Sequence, residues 1–223
     1  MDKIIQKQHV LVAGANKTAW SICICILQAG HYVTLFSKST VDALKNINQH
    51  IIDVNKIDGR TIAVENLNIM SKIPDSVAFD MVIAITNENL SDKRSIILEL
   101  ENNVAAGTLI AINTESIALS TLQQQARFPE RLVGANWTEP VHTTYFLEII
   151  TNAVTDTQLV NKFYNTAKKS WQKDPYILKS DTGIRFKMMA ALIREAFYLI
   201  ENDYVTIEDV DRACRNDAGY YLP

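Results

Sequence analysis

Several groups of residues in this chain are of types that do chemistry. One is Gly14-Ala15-Asn16-Lys17-Thr18-Ala19, lying between an apolar run (10–13) and a helix-forming stretch. A glycine at the end of a strand, followed by a helix N-terminus, aims free backbone N–H groups and the positive end of a helix dipole at a phosphate. Another is Ser37-Lys38, directly after a second apolar run (32–36). A hydroxyl and an ammonium there suit a phosphate better than a sugar hydroxyl. Thr86, Glu88 and Lys93 follow a third run, and Asn113-Thr114-Glu115-Ser116 follow a fourth.

These residues need a scaffold of alternating strands and helices, and the apolar pattern predicts one. Residues 10–13, 32–36, 79–85, 108–112, 132–135, 146–150 and 176–179 read as buried strands. Helices are expected over 19–29, 41 to about 55, 91–100, 119–126, 156–171 and 182–201. A further helix begins at Thr206, where Thr206-Ile207-Glu208-Asp209 resembles a capping box. One or two short strands are expected within 61–72, after a turn at Asp58-Gly59. The fold class is α/β, a doubly wound, mainly parallel sheet, with a short helical C-terminal region. The expected division is a dinucleotide-binding domain over 1–180 and helices over 181–223. In such sheets ligands bind beyond the carboxyl ends of the strands, which puts residues 86–93 beside the site.

The first βαβ unit, residues 10–37, carries the dinucleotide fingerprint in altered form. Its first glycine is Gly14 and its last small residue is Ala19, but the middle glycine is Asn16. An Asn there adopts positive φ at modest cost, and its side chain fills space beside a phosphate. The acidic residue that binds a ribose 2′-hydroxyl is replaced by Ser37, so NADP fits better than NAD if a dinucleotide binds at all.

Composition narrows the rest. The 223 residues are 48% hydrophobic and 21% charged, with a net charge of −3 and no basic patch, which argues against nucleic acid as a partner. No apolar run approaches the ~20 residues of a membrane span. The first strand starts too early to leave room for a signal peptide, so a cytoplasmic protein is expected. Cys23 and Cys25 lie two apart on a helix and point to different faces, which leaves them as buried small hydrophobes. His9, His31 and His50 show no ligand spacing, and no metal site is expected. His142 is a substitute base or a surface residue.

Short strings along the chain resemble the 3-hydroxyacyl-CoA dehydrogenases in the same order. Gly30-His31-Tyr32-Val33-Thr34-Leu35 resembles GHxVTL, and Glu88-Asn89-Leu90 with Lys93 resembles ENLxxK. Residues 113–116 resemble NTSS, residues 128–134 RPERVIG and residues 147–150 LVEVI. Arg194-Glu195-Ala196 and residues 206–211 resemble the helices of the family's C-terminal domain. The family oxidises L-3-hydroxyacyl-CoA with NAD. Its catalytic His takes the hydroxyl proton, a Glu orients that His, and a Ser and an Asn hold the substrate oxygen.

By this resemblance Glu148 takes the place of the orienting Glu; it is a general base if burial raises its pKa, or a carboxylate left at a strand end. Asn136 stands at the catalytic His, and an amide has no proton equilibrium near neutral pH and cannot act as a base. Glu115 stands at the Ser, with Ser116 beside it, and Lys187 falls near the Asn. The resemblance puts Gly14, Ala15, Asn16, Lys17, Thr18, Ser37, Lys38, Thr86, Glu88, Lys93 and Asn113 around a nicotinamide cofactor. Lys17 and Lys93 are phosphate ligands or solvated lysines. Glu88, Glu115, Glu139 and Glu148 would make the cleft acidic. Residues 39–60 are too short for the helical pair that helps hold CoA, and the helical region after Thr182 is about half the family's. The implied activity is an NAD(P)-dependent oxidoreductase with an altered or lost catalytic site, on an acyl-CoA or a small keto or hydroxy acid. The alternative is a non-catalytic binding or assembly module that takes no cofactor. The helix over 182–201 lacks its usual cover, which implies burial in a homodimer or against a partner chain.

Overall fold

The computed structural model of the chain describes residues 7–58, 62–74 and 77–218. Gly59 and Thr61, which bound the expected turn and strand region, lie outside the described residues. Eight strands form one sheet in the order β3-β2-β1-β4-β5-β6-β7-β8. They are β1 (His9–Ala13), β2 (Tyr32–Phe36), β3 (Leu67–Met70), β4 (Met81–Ala84), β5 (Leu109–Ile112), β6 (Leu132–Trp137), β7 (Phe146–Thr151) and β8 (Asp174–Lys179). Strands β1 to β6 are parallel; β7 runs antiparallel to β6, and β8 parallel to β7. The order reverses between β1 and β4. That switch point opens the crevice in which such sheets hold ligands.

The near-continuous apolar strands are buried on both faces, as parallel strands with helices on either side require. On one face α1 (Lys17–Gln28), α2 (Thr40–Asp58) and α5 (Thr157–Lys169) cover Val10, Val12, Val33, Leu35, Ile83 and Leu147. On the other, α3 (Leu90–Asn103) and α4 (Leu119–Gln123) cover Leu11, Ala13, Val82, Ile110 and Ile112. Cys23 and Cys25 are buried in the first of these layers.

The elements differ from the sequence pattern at their ends, for local reasons. Helix α1 begins earlier, at Lys17, because Asn16 caps it. Strand β6 runs on to Trp137 because Asn136 and Trp137 pair with Glu148 and Leu147 of β7. Strand β8 begins at Asp174 and includes Pro175. A proline is tolerated there because β8 ends the sheet, so one side of it needs no ladder donor. Between β2 and β3 the described residues hold one α-helix, α2, and a 3-10 turn at Val64–Asn66.

The chain divides into two compact units, Met1–Gly183 and Ile184–Pro223. The second holds α6 (Ile184–Glu201) and α7 (Ile207–Ala213). Thr206 caps α7: its Oγ1 accepts from the Asp209 amide at 3.2 Å and donates to Asp209 Oδ2 at 2.9 Å.

Candidate active site

The turn from β1 into α1 is shaped by close packing. A Cβ on Gly14 would lie 2.8 Å from Ala19 Cβ and 2.9 Å from the Ile85 carbonyl oxygen. Glycine is needed there so that the helix can approach the strands. Asn16 has φ −133° and ψ 172°, extended rather than left-handed, so the tolerance of Asn for positive φ is not used here. Its Oδ1 accepts from the Ala19 amide at 3.0 Å. Asn at this position is therefore a helix cap, and it satisfies one of the first-turn donors that would otherwise face a phosphate. The amides of Lys17 and Thr18 lie in the same first turn and have no intrahelical acceptor.

Beyond these residues lies an open cavity of about 370 Å³ at the switch point. Gly14, Ala15 and Asn16 form one side, Phe36 and Lys38 another, and Ile85 and Thr86 a third. Ser37 does not contribute to it. Its side chain is buried, and its hydroxyl donates to the Ser39 carbonyl at 3.3 Å. The expected Ser37-Lys38 phosphate pair thus reduces to Lys38, which is exposed. Lys17 is also exposed. The Thr18 hydroxyl donates to Glu139 at 3.3 Å, which brings a carboxylate to the start of α1.

Glu88 and Lys93 are structural where cofactor ligands were expected. One Glu88 oxygen accepts from the amides of Glu115, Ser116 and Ile117 at 3.0, 2.8 and 3.0 Å, and from the Ser116 hydroxyl at 3.1 Å. The other pairs with Lys93 Nζ at 3.0 Å. The Lys93 side chain is wholly buried and also donates to Thr86 Oγ1 at 3.2 Å and to the Asn113 carbonyl. Burial alone would raise the Glu88 pKa, but the Ser116 amide, Lys93 and the Ile117 amide together hold it below the ordinary carboxylate range. Burial pushes the Lys93 pKa down, partly offset by Glu88. A lysine with no exposed surface is not available to a phosphate, and the Glu88 carboxylate is already tied to three amides and to Lys93. The expected acidity of the cleft falls accordingly.

The asparagines run along the carboxyl edge of the sheet. Asn113 accepts from the Thr86 amide at 2.8 Å and donates to the Thr86 carbonyl at 2.9 Å. Asn136 repeats the pattern one strand over, accepting from the Thr114 amide at 2.9 Å and donating to the Thr114 carbonyl at 2.9 Å. Each amide closes a pair of bonds that extends the ladder past the strand end. The second N–H of Asn136 goes to Glu148 Oε2 at 2.9 Å, so both of its donors are taken. Glu148 is fully buried, and its Oε1 accepts from the Tyr176 hydroxyl at 2.9 Å. A Cβ on Gly183 would lie 2.1 Å from Glu148 Oε2 and 3.1 Å from Asn136 Nδ2, so only glycine fits over that bond.

Tyr176 and Gly183 were not singled out in the sequence. Tyr176 sits opposite Glu148 because β8 pairs in parallel with β7, and no sequence pattern carries that register. Glu115 is half-buried, and Ser116, whose hydroxyl is on Glu88, is exposed. Lys187 is exposed on α6, in the second unit. His142 is half-buried, its ring edge-on to His50 at 5.9 Å. Among the described residues no group of His, Cys, Asp or Glu could hold a metal ion.

A glycine-tight strand-to-helix turn with a cavity at the switch point defines the class, a Rossmann-like α/β domain. This chain belongs to the 3-hydroxyacyl-CoA dehydrogenase family, whose NAD-binding domain model matches residues 9–181. It is 26% identical over 183 residues to 5-formyl-3-hydroxy-2-methylpyridine 4-carboxylate 5-dehydrogenase of Mesorhizobium japonicum, covering 81% of this chain and 59% of the relative. It is 24% identical over 226 residues to 3-hydroxyadipyl-CoA dehydrogenase of Escherichia coli, covering 97% of this chain and 47% of the relative. The chain thus spans about half the length of these relatives. Its fold matches the crystal structure of (S)-3-hydroxybutyryl-CoA dehydrogenase of Ralstonia eutropha with a TM-score of 0.87 at 20% identity, over 96% of this chain and 78% of that one.

Proposed function

We propose that this chain binds a nicotinamide dinucleotide beyond the end of β1 and acts as an oxidoreductase on a hydroxyl–carbonyl pair. The cavity at the switch point carries this reading, walled by Gly14, Ala15 and Asn16 and of a size typical of small-molecule sites. The residues present fit the group: the Lys17 and Thr18 amides suit its pyrophosphate, Phe36 and Ile85 offer apolar walls, and Lys38 is a cation for a ribose phosphate. When bound, the cofactor supplies the hydride acceptor or donor. The substrate class is an acyl-CoA or a small keto or hydroxy acid. The relatives' names support that range, since they include both a CoA thioester and a pyridine carboxylate.

Asn136 favours a second reading. With both donors committed to Thr114 and Glu148 and no titratable proton, it does none of the work of the family's His. A non-catalytic module that keeps the fold as a scaffold is consistent with this. Calorimetric titration with NADH and NADPH, followed by an NADH-oxidation assay on acetoacetyl-CoA and short keto acids, separates the readings. The oxidoreductase binds a cofactor and turns over. No binding of either dinucleotide leaves the scaffold reading. We further propose a homodimer formed through α6, and a cytoplasmic location. Among the described residues no helix is long and apolar enough to cross a membrane.

A further inference from the structure

The segment that joins β6 to β7, residues 138–145, is pinned against the first turns of α1. A buried hydroxyl clamps the two together. Ser21 Oγ donates to the Thr18 carbonyl at 3.0 Å and accepts from the Val141 amide at 3.2 Å. The segment is also closed on itself, with Thr144 Oγ1 donating to the Thr138 carbonyl at 2.7 Å and the Thr143 amide to the Pro140 carbonyl at 3.1 Å. Lys173, itself buried, donates from Nζ to the carbonyls of Val141 and Thr144. The backbone on both sides of Glu139 is therefore held in place. From there the Glu139 carboxylate accepts from Thr18 Oγ1 at 3.3 Å. Asn16 Oδ1 already holds the Ala19 amide in the same turn. The chain thus brings two acceptors of its own, one of them charged, to the helix start that would receive a phosphate.

We propose that Glu139 is a built-in competitor of the cofactor's pyrophosphate, an anionic latch that lowers dinucleotide affinity and must leave Thr18 before a phosphate settles on the first turn of α1. This rests on the reading that a dinucleotide binds beyond the end of β1, and it names how that site is regulated. A helix N-terminus carries a partial charge of roughly +0.5, and an anion beside it is stabilised. In the empty site Glu139 takes that stabilisation together with the Thr18 hydroxyl. A pyrophosphate draws on the same dipole and repels the carboxylate at short range. Glu139 is exposed, so its side chain can turn into solvent while the pinned backbone stays where it is. The latch tunes the site towards a cofactor that exchanges rather than one that is held permanently.

The experiment uses the full chain as wild type, Glu139→Gln and Glu139→Ala. Each is titrated calorimetrically with NADH and with ADP-ribose, which has the pyrophosphate but no nicotinamide, at low and at high salt. Circular dichroism melts confirm that each variant folds, and either variant alone suffices. Gln keeps the shape and the hydrogen-bond acceptor, so any gain measures the charge. Glu139→Gln is expected to bind NADH about fivefold more tightly than wild type at low salt. ADP-ribose gains by the same factor, and the difference narrows at high salt because a carboxylate–phosphate repulsion is screened. A wild type too weak to measure beside a variant that binds supports the latch equally. Wild-type binding of NADH with unchanged or weaker affinity in the folded variants overturns the latch and leaves the cofactor reading standing. A gain for NADH that ADP-ribose does not share also overturns it, because the effect then lies away from the pyrophosphate. No binding of either ligand to wild type or variants defeats the cofactor reading and the latch together.

Discussion

Asn136 shows what a single residue reveals and conceals. Its place beside Glu148 was legible from the order of short strings, and its inability to act as a base followed from its amide. Its positive role was not legible, because that role lies in bonds to a backbone 22 residues away. Asn136→Ala strands the Thr114 amide and carbonyl in the interior. The expected cost is about 3 kcal/mol, read as a lowered denaturant midpoint at constant slope. Asn16→Gly makes the opposite test. Glycine costs a cap only a few tenths of a kcal/mol relative to Asn. It also frees the Ala19 amide for a phosphate, so NADH should bind more tightly at nearly unchanged stability, as calorimetry and a melt would show. Glu88 carries a pH signature. Its folded pKa is held below the ordinary value, so its stabilising contribution is full above the carboxylate range. That contribution is lost as pH falls through the ordinary range towards the lower folded value. Burial of Lys93 pulls the other way, because its lowered pKa makes the charged form a cost at neutral pH. Glu88→Gln should flatten the acid side of a stability-against-pH curve.

At the scale of elements, helix and strand types followed the apolar period closely, while the ends followed caps and partners. Asn16, Asn89 and Asp156 each cap a helix through a side-chain oxygen, at α1, α3 and α5. Asp156 accepts from the amides of Gln158 and Leu159 at 2.7 and 3.2 Å. Asp156→Ala should cost about 1 kcal/mol in a thermal or denaturant melt. Strand β6 reaches Trp137 only because β7 returns beside it, which no local pattern in residues 132–140 announces. Lys93 was read as a phosphate ligand or a solvated lysine of α3. It is instead inside, because the helix packs its first turn against the ends of β4 and β5.

On the scale of the whole molecule, α6 has no buried residue and exposes Phe186, Met188, Met189, Ile193, Phe197 and Tyr198. So much contiguous apolar surface on one helix is a mark of an interaction face. Under the homodimer proposal, light scattering at micromolar concentration gives twice the chain mass. Phe197→Lys, placed on that face, shifts it towards the monomer. A clean monomer for the unaltered chain would end that proposal.

The sequence by itself determined the α/β class, the first βαβ unit, the family resemblance and the chemical poverty of Asn136. All of these are local, set by apolar period, turn residues and side-chain type. Only the tertiary structure decided that Lys93 and Glu88 hold strand ends together, that Ser37 turns inward and that Tyr176 meets Glu148. Those facts depend on the strand order and on the register across β6, β7 and β8. Register is set by packing between distant segments, and a shift of one residue would send Tyr176 to the opposite face of the sheet.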